Sequence, residues 1–305
     1  MKSNQLSDSE NAALMLHLER TIPPMNIKDA ETLLGEVKEI FDEHKITFFL
    51  RQGTCLGAVR DHALIIWDDD LDLGSIIGMH DFVEDMIEPA VADLREHGCY
   101  VEVNHDGLYT AVKIMKYQIR IDWQCYRVIK GTIAHYPGVP FPIDLFINLT
   151  PIGFLGEFYN VPSPPNDYLT YKYGPDWITP KQIGYEKDVL DNMPSGTVPG
   201  RPGKLRQWFS VKFNPAQTAT LLVLDTDGLP VKGATVVIAG LSRSTSNQDG
   251  HVKFYLPGPS NYAISITFND VEEVLYEEAL TPGSRYVYCP DPARSAGRYF
   301  ALTEE

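Results

Sequence analysis

Trp67-Asp68-Asp69-Asp70-Leu71-Asp72, reached through Gly53-Thr54-Cys55-Leu56-Gly57-Ala58-Val59-Arg60, decides how this chain is read. Four carboxylates within six residues repel one another, and a fold that gathers them needs cations to neutralise them. Apolar residues frame the run: Ala63-Leu64-Ile65-Ile66 before it, Leu71 and Leu73 within it, Ile76-Ile77 after it. An acidic run on a solvated loop has no such frame. In Asp70-Leu71-Asp72 the alternation of a strand puts both carboxylates on one face, with Leu71 and Leu73 turned to a core. Adjacent carboxylates on a strand suit a hard divalent cation, Mg²⁺ or Mn²⁺. Upstream, Gly53 and Thr54 predict a flexible turn with a hydroxyl, where backbone approaches a phosphate. Together these features predict metal-assisted chemistry on a nucleotide phosphate.

Working outward, residues 8–21 are polar and helix-prone. Asp29 to His44 places Ala30, Leu33, Leu34, Val37, Ile40 and Phe41 on one helical face. Lys45 to Leu50 is strand-like and leads to Gly53. Asp81 to His97 predicts a second helix, ended near Gly98. Strands are expected over Cys99 to His105, Tyr109 to Met115 and Tyr117 to Val128. The last contains Asp122, an acid in an otherwise apolar and aromatic strand. The residues alone leave Asp122 open, as a site carboxylate or as a surface residue paired with Arg120 or Arg127.

The Gly53–Arg60 and Trp67–Asp72 blocks, with Phe158-Tyr159-Asn160-Val161-Pro162 and Tyr168-Leu169-Thr170-Tyr171-Lys172-Tyr173-Gly174-Pro175-Asp176-Trp177 downstream, resemble the LicD/fukutin family of phospho-alcohol transferases. The resemblance covers roughly residues 30–180, in the family's order. Ala63-Leu64-Ile65-Ile66 departs from the family's usual GFIP, and no carboxylate is affected. The resemblance implies an α+β nucleotidyltransferase (polymerase-β-like) catalytic domain, a mixed sheet flanked by helices. It implies transfer of a phospho-alcohol from a CDP-alcohol donor to a sugar hydroxyl of a cell-surface glycan or its precursor, with release of CMP. Such sites need a third carboxylate from a neighbouring strand. Asp122 is favoured, with Asp144 as the alternative, because Pro140 and Pro142 make the Asp144 segment a poor central strand. The implied metal ligands are Asp70, Asp72 and Asp122, with Asp68 and Asp69 orienting them. Arg60 is a candidate for the developing phosphate charge, or a partner of Asp61, Asp68 or Asp69. Gly53, Thr54, Lys172 and Tyr173 are the candidate substrate-binding residues. The aromatics Tyr168, Tyr171, Tyr173 and Trp177 serve equally as a small core.

The chain has 305 residues and a formal net charge of −15, which argues against a nucleic-acid partner. Cys55, Cys99, Cys125 and Cys289 are widely spaced and fit reduced, packed thiols. No apolar run of signal-peptide or membrane-span character occurs, so a cytoplasmic protein is the default, touching the inner membrane only through its substrate. Pro and Gly crowd residues 190–203, and beyond Thr218 short strands alternate with turns at Asp227-Gly228 and Asp249-Gly250. That texture predicts a small all-β sandwich resembling transthyretin-like, carboxypeptidase-regulatory-like modules. The expected division is residues 1–213 for catalysis and 217–305 for the sandwich. Two other functions remain open: transfer of NMP from an NTP to a small phosphate or alcohol, and glycan binding without catalysis.

Overall fold

The computed structural model describes residues 6–193, 204–293 and 297–305. The chain divides into two compact units. The first takes in residues 1–133, 141–171 and 175–178, and the second 134–140, 172–174 and 179–305.

The first unit opens with α1 (Asp8–Thr21) and α2 (Ile27–Glu43). Ser7 starts α1 through a capping box with Glu10, and the Asn26 side chain caps α2 at the Asp29 amide. The chain then forms β1 (Phe49–Leu50), α3 (Gln52–Leu56), β2 (Asp70–Ile76), α4 (Ile87–Glu96), β3 (Tyr100–His105), β4 (Tyr109–Lys116) and β5 (Ile119–Tyr126). The sheet order is β1-β2-β5-β4-β3, with β2 and β5 parallel and the other pairs antiparallel. This is a mixed sheet with helices packed on it. One face is apolar: Leu71, Leu73, Ile121, Trp123, Val112 and Ile114 are buried, as are Leu33, Leu34, Val37 and Phe41 of α2 and Val91 and Leu94 of α4. The Phe41 and Trp123 rings lie 4.4 Å apart. The other face is polar, and α1 covers its far end through Met15, Leu18, Met115 and Tyr100.

Three sequence expectations need correction here. Gly53 and Thr54 are not in a flexible turn but inside α3, which begins directly after β1 and runs on into one wide helical turn, Gly57–Asp61. The strand before it is two residues long, because only Phe49 and Leu50 pair with β2. The helix expected over 81–97 is shorter as well: Asp81 has a positive φ, a single turn spans Glu84–Met86, and α4 begins at Ile87.

After β6 (Thr132–His135) and β7 (Val139–Pro142) come α5 (Asp144–Ile147), the hairpin β8 (Thr150–Phe154) and β9 (Glu157–Val161), and then α6 (Pro165–Tyr173). Tyr168 on α6 is fully buried among Phe141 and Phe146.

The second unit holds α7 (Tyr185–Asp191) and α8 (Lys204–Phe213), and is otherwise β-rich. Its strands are β10 (Thr218–Val223), β11 (Thr235–Ile238), β12 (Ser242–Thr245), β13 (His251–Tyr255), β14 (Ser260–Phe268), β15 (Val271–Leu280), β16 (Arg285–Tyr288), β17 (Arg298–Tyr299) and β18 (Thr303–Glu304). They form two sheets, β13-β10-β16-β18 and β12-β11-β14-β15-β17, that share one core around Leu221, Phe254, Ile264, Ile266, Leu275 and Tyr288. Three buried glutamates tie this unit together. Glu186 accepts from the Tyr299 hydroxyl at 2.9 Å, Glu278 from the amides of Ala301 and Leu302, and Glu273 from Tyr288 and Arg298. The Pro- and Gly-rich segment expected to be a linker lies largely outside the described residues. All four cysteines are free thiols. Among the described residues no helix is long and apolar enough to cross a membrane.

Candidate active site

Strand register assembles the site. Asp72 lies opposite Asp122 and Asp70 opposite Arg120 in the parallel β2–β5 pair, while Lys113 of β4 lies opposite Asp122. Directly opposed residues project from the same face, so Asp70, Asp72, Lys113, Arg120 and Asp122 share the polar face of the sheet. Asp144, by contrast, opens the one-turn helix α5 and is exposed.

Asp72 is buried and fixed from three directions. Its carboxylate pairs with the Arg51 guanidinium at 2.8 Å and accepts from Gln52 Nε2 at 3.1 Å, while its amide donates to Thr54 Oγ1 at 2.8 Å. Arg51 is itself 2% exposed; its Nε donates to the Leu73 carbonyl and its Nη2 to the Asp122 carbonyl, at 2.9 and 3.1 Å. Burial works against the charge on Arg51, but Asp72, Tyr126, Asp122 and Tyr168 together outweigh it and hold the guanidinium firmly protonated. One arginine therefore joins the end of β1 to β2 and β5.

The carboxylates of Asp68, Asp69 and Asp70 each offer an oxygen within 4.8 Å of the other two. Burial pushes the Asp68 and Asp70 carboxyls well above the usual carboxylate range, and repulsion from Asp69 and Asp72 adds to it. Burial raises Asp69 as well, against the pull of Arg120. Arg120 pairs with Asp69 and lies 3.6 Å from Asp70, so its partners are these two rather than Asp122. Its Nε is buried without a hydrogen-bond partner among the described residues. Burial opposes the charge on Lys113 too, and Asp122 and Glu19 of α1 outweigh it.

These residues fit a divalent cation. The donors are all hard carboxylate oxygens, and a counter-ion would relieve the burial and mutual repulsion that raise the carboxyls of Asp68, Asp69 and Asp70. The Asp69 and Asp70 side chains are each 21% exposed, so the cluster is open to solvent.

The remaining predicted residues divide. Gly53 sits against Asp68: a Cβ there would stand 2.3 Å from Asp68 Oδ2, so only glycine lets that carboxylate close on α3. Thr54 braces β2 through its hydroxyl. Arg60 grips Asp61 in a two-pronged pair at 2.8 and 2.7 Å, the partner its neighbour in sequence offers. Lys172 and Tyr173 fall in the second unit. Lys172 is buried there and donates to the Tyr136 carbonyl, with its ammonium 6.0 Å from the Tyr173 ring. Tyr168 is a core residue with one further task, since its hydroxyl accepts from the Gln52 amide at the start of α3 at 2.9 Å. The downstream block thereby braces the upstream one.

Sequence reasoning missed Arg51, Gln52 and Lys113. Arg51 left one signal, a cation directly ending the apolar run Ile46–Leu50 and preceding Gln52-Gly53-Thr54. Lys113 left another, a cation between Val112 and Ile114 in a strand that otherwise reads as core.

An acidic strand pair on a mixed sheet stands beside a short helix that carries Gly53 and Thr54. Residues 45–164 match the family described as LicD/FKTN/FKRP, nucleotidyltransferase domain. Among curated relatives, the human protein named ribitol 5-phosphate transferase FKRP is 27% identical over 173 residues, which is 53% of this chain and 34% of that protein. The chain thus spans about a third of the length of that relative. Among solved structures, the crystal structure of ANT(2")-Ia in complex with adenylyl-2"-tobramycin is 14% identical, covering 46% of this chain and 75% of that one with a TM-score of 0.31. A similarity that low carries no argument.

Proposed function

We propose that this chain is a phospho-alcohol transferase that takes its donor as a CDP-alcohol and its acceptor as a glycan hydroxyl. The observation that carries the reading is the register placing Asp70, Asp72 and Asp122 on one face of β2 and β5, inside the matched domain. In the reaction the acceptor oxygen forms a bond to the phosphorus bearing the alcohol, the bond from that phosphorus to the CMP oxygen breaks, and the hydroxyl proton passes to a carboxylate. Asp122 is our choice for orienting the hydroxyl and receiving the proton. Asp70, Asp72 and Asp122 would hold Mg²⁺ or Mn²⁺, with Asp68 and Asp69 beside them. A bound cation supplies charge neutralisation on the diphosphate and on departing CMP. Arg51 holds and aims Asp72. Arg120 and Lys113 are the cations on the same face, and the unpartnered Arg120 Nε is a donor for a phosphate oxygen. Arg60, bound to Asp61, is not assigned a role. The transthyretin-like character of the second unit and a separate sandwich domain from residue 217 remain part of the same proposal.

The test is a donor screen with CDP-choline, CDP-ribitol, CDP-glycerol and CDP-ethanolamine, read as CMP release with Mg²⁺ or Mn²⁺ and a glycan acceptor. CMP release from one donor supports the reading. Pyrophosphate release from an NTP, with no CMP from any CDP-alcohol, replaces it with nucleotidyl transfer. Glycan binding with neither product makes the chain a binding protein.

A further inference from the structure

Helix α8 carries a feature that catalysis does not use. Leu205, Trp208, Phe209 and Phe213 are 72, 53, 49 and 65% exposed. With Lys212 they occupy positions i, i+3, i+4, i+7 and i+8, one continuous stripe of a 3.6-residue helix. The side chains form a single patch. The Trp208 and Phe209 rings lie 5.0 Å apart, Phe209 stacks on Phe213 at 5.9 Å, and the Lys212 ammonium sits 4.9 Å from the Trp208 ring and 5.4 Å from the Phe213 ring. Val211 points the other way and packs against the core shared by the two sheets of the second unit. The helix is thus anchored on one side and leaves three large aromatics in water on the other, an arrangement that costs free energy unless something covers them.

Charge says what covers them. The ten residues of α8 include Lys204, Arg206 and Lys212 and no acid, within a chain of net charge −15. An acid-free helix sequence with three cations, one of them (Lys212) within the aromatic stripe, complements an anionic surface on an otherwise acidic protein. Trp and Phe flanked by Lys and Arg is the composition of a helix lying in the interface of a bilayer, its rings among the acyl chains and its cations at the headgroups. The helix is too short to span a bilayer.

We propose that α8 is a membrane-docking element that lays Leu205, Trp208, Phe209 and Phe213 into the surface of a bilayer containing anionic lipid. The inference is independent of the transferase reading, because vesicle binding needs no donor, acceptor or metal.

The experiment uses the full chain and vesicles of phosphatidylcholine with and without phosphatidylglycerol. Co-sedimentation is expected with the anionic vesicles and is expected to weaken as salt rises. Tryptophan emission should shift to the blue and be quenched by brominated acyl chains, with the quenching lost in Trp208→Phe. The combined Trp208→Ser, Phe209→Ser and Phe213→Ser variant should bind at least ~10-fold more weakly, with an unchanged circular dichroism spectrum. Should that variant fail to fold, Lys212→Glu and the quenching of the unmodified chain decide the matter. Absence of binding to anionic vesicles, or undiminished binding by the triple serine variant or by Lys212→Glu, overturns the proposal. So does a dimer, seen by light scattering, that the triple variant breaks into monomers, since the face would then be covered by a second copy.

Discussion

Asp70→Asn and Asp72→Asn look interchangeable in the sequence, as two members of one repelling cluster, yet the structure predicts opposite effects on stability. Asp72 is the carboxylate partner of a guanidinium 2% exposed, at 2.8 Å. Removing one member of a buried pair costs about 3–5 kcal/mol, because the remaining charge is left uncompensated. An asparagine oxygen still accepts from Arg51 and Gln52, so the expected cost is at the low end, about 3 kcal/mol. For a unit of this size that corresponds to a fall in Tm of roughly 6–12 °C. Asp70 has only a share in a longer pair: Arg120 stands 3.6 Å away and also pairs with Asp69. Its carboxyl is pushed up by burial and by Asp69 and Asp72. A carboxyl raised on folding adds stability below its unfolded pKa, and that contribution is lost as pH rises through the folded value. At neutral pH without divalent cations Asp70 is therefore a burden, and Asp70→Asn should raise Tm by roughly 2–4 °C, about 1 kcal/mol. The gain should vanish toward pH 4, where the wild-type carboxyl is protonated as well. Added Mg²⁺ should raise the wild-type Tm and narrow the gap. Thermal unfolding by circular dichroism at pH 4 and 7, with EDTA or with Mg²⁺, measures all of this. An Asp72→Asn protein as stable as wild type, or an Asp70→Asn protein destabilised at pH 7, would refute the division of labour between the two carboxylates.

Asp122→Ala should reduce kcat for CMP release by at least ~100-fold with little change in KM for the donor, whereas Asp144→Ala, altering an exposed residue of α5, should stay within ~10-fold; steady-state kinetics separates them, and the reverse pattern would move the third carboxylate to Asp144. Gly53→Ala forces a Cβ to 2.3 Å from Asp68 Oδ2, so it should cost about 1–3 kcal/mol in chemical denaturation and shrink the Tm rise produced by Mg²⁺. Tyr168→Phe deletes the acceptor of the Gln52 amide and should cost about 1 kcal/mol while leaving the buried ring in place; an unchanged denaturation midpoint would show that α3 does not lean on α6.

The local patterns were legible without the fold. The stripe of Ala30, Leu33, Leu34, Val37, Ile40 and Phe41 specifies α2, because a helix can bury only residues that recur every three or four positions. The alternation in Asp70-Leu71-Asp72-Leu73 specifies a strand with an acidic and an apolar face, and the even run of short strands after Thr218 specifies a β-rich second unit. The motif blocks were sufficient for the family, since they lie within or beside the matched residues 45–164. Tertiary structure alone decided the pairings. Nothing local sets Asp72 opposite Asp122, fifty positions on, or makes Arg51 rather than Arg60 the partner of Asp72. Register is a property of two strands, and an ion pair goes to the charge the fold brings close, while Arg60 is used up by Asp61 next to it. The same holds for Gly53: the sequence suggests a glycine chosen for flexibility, and the packed structure shows one chosen for room, in a helix that Asp68 must approach.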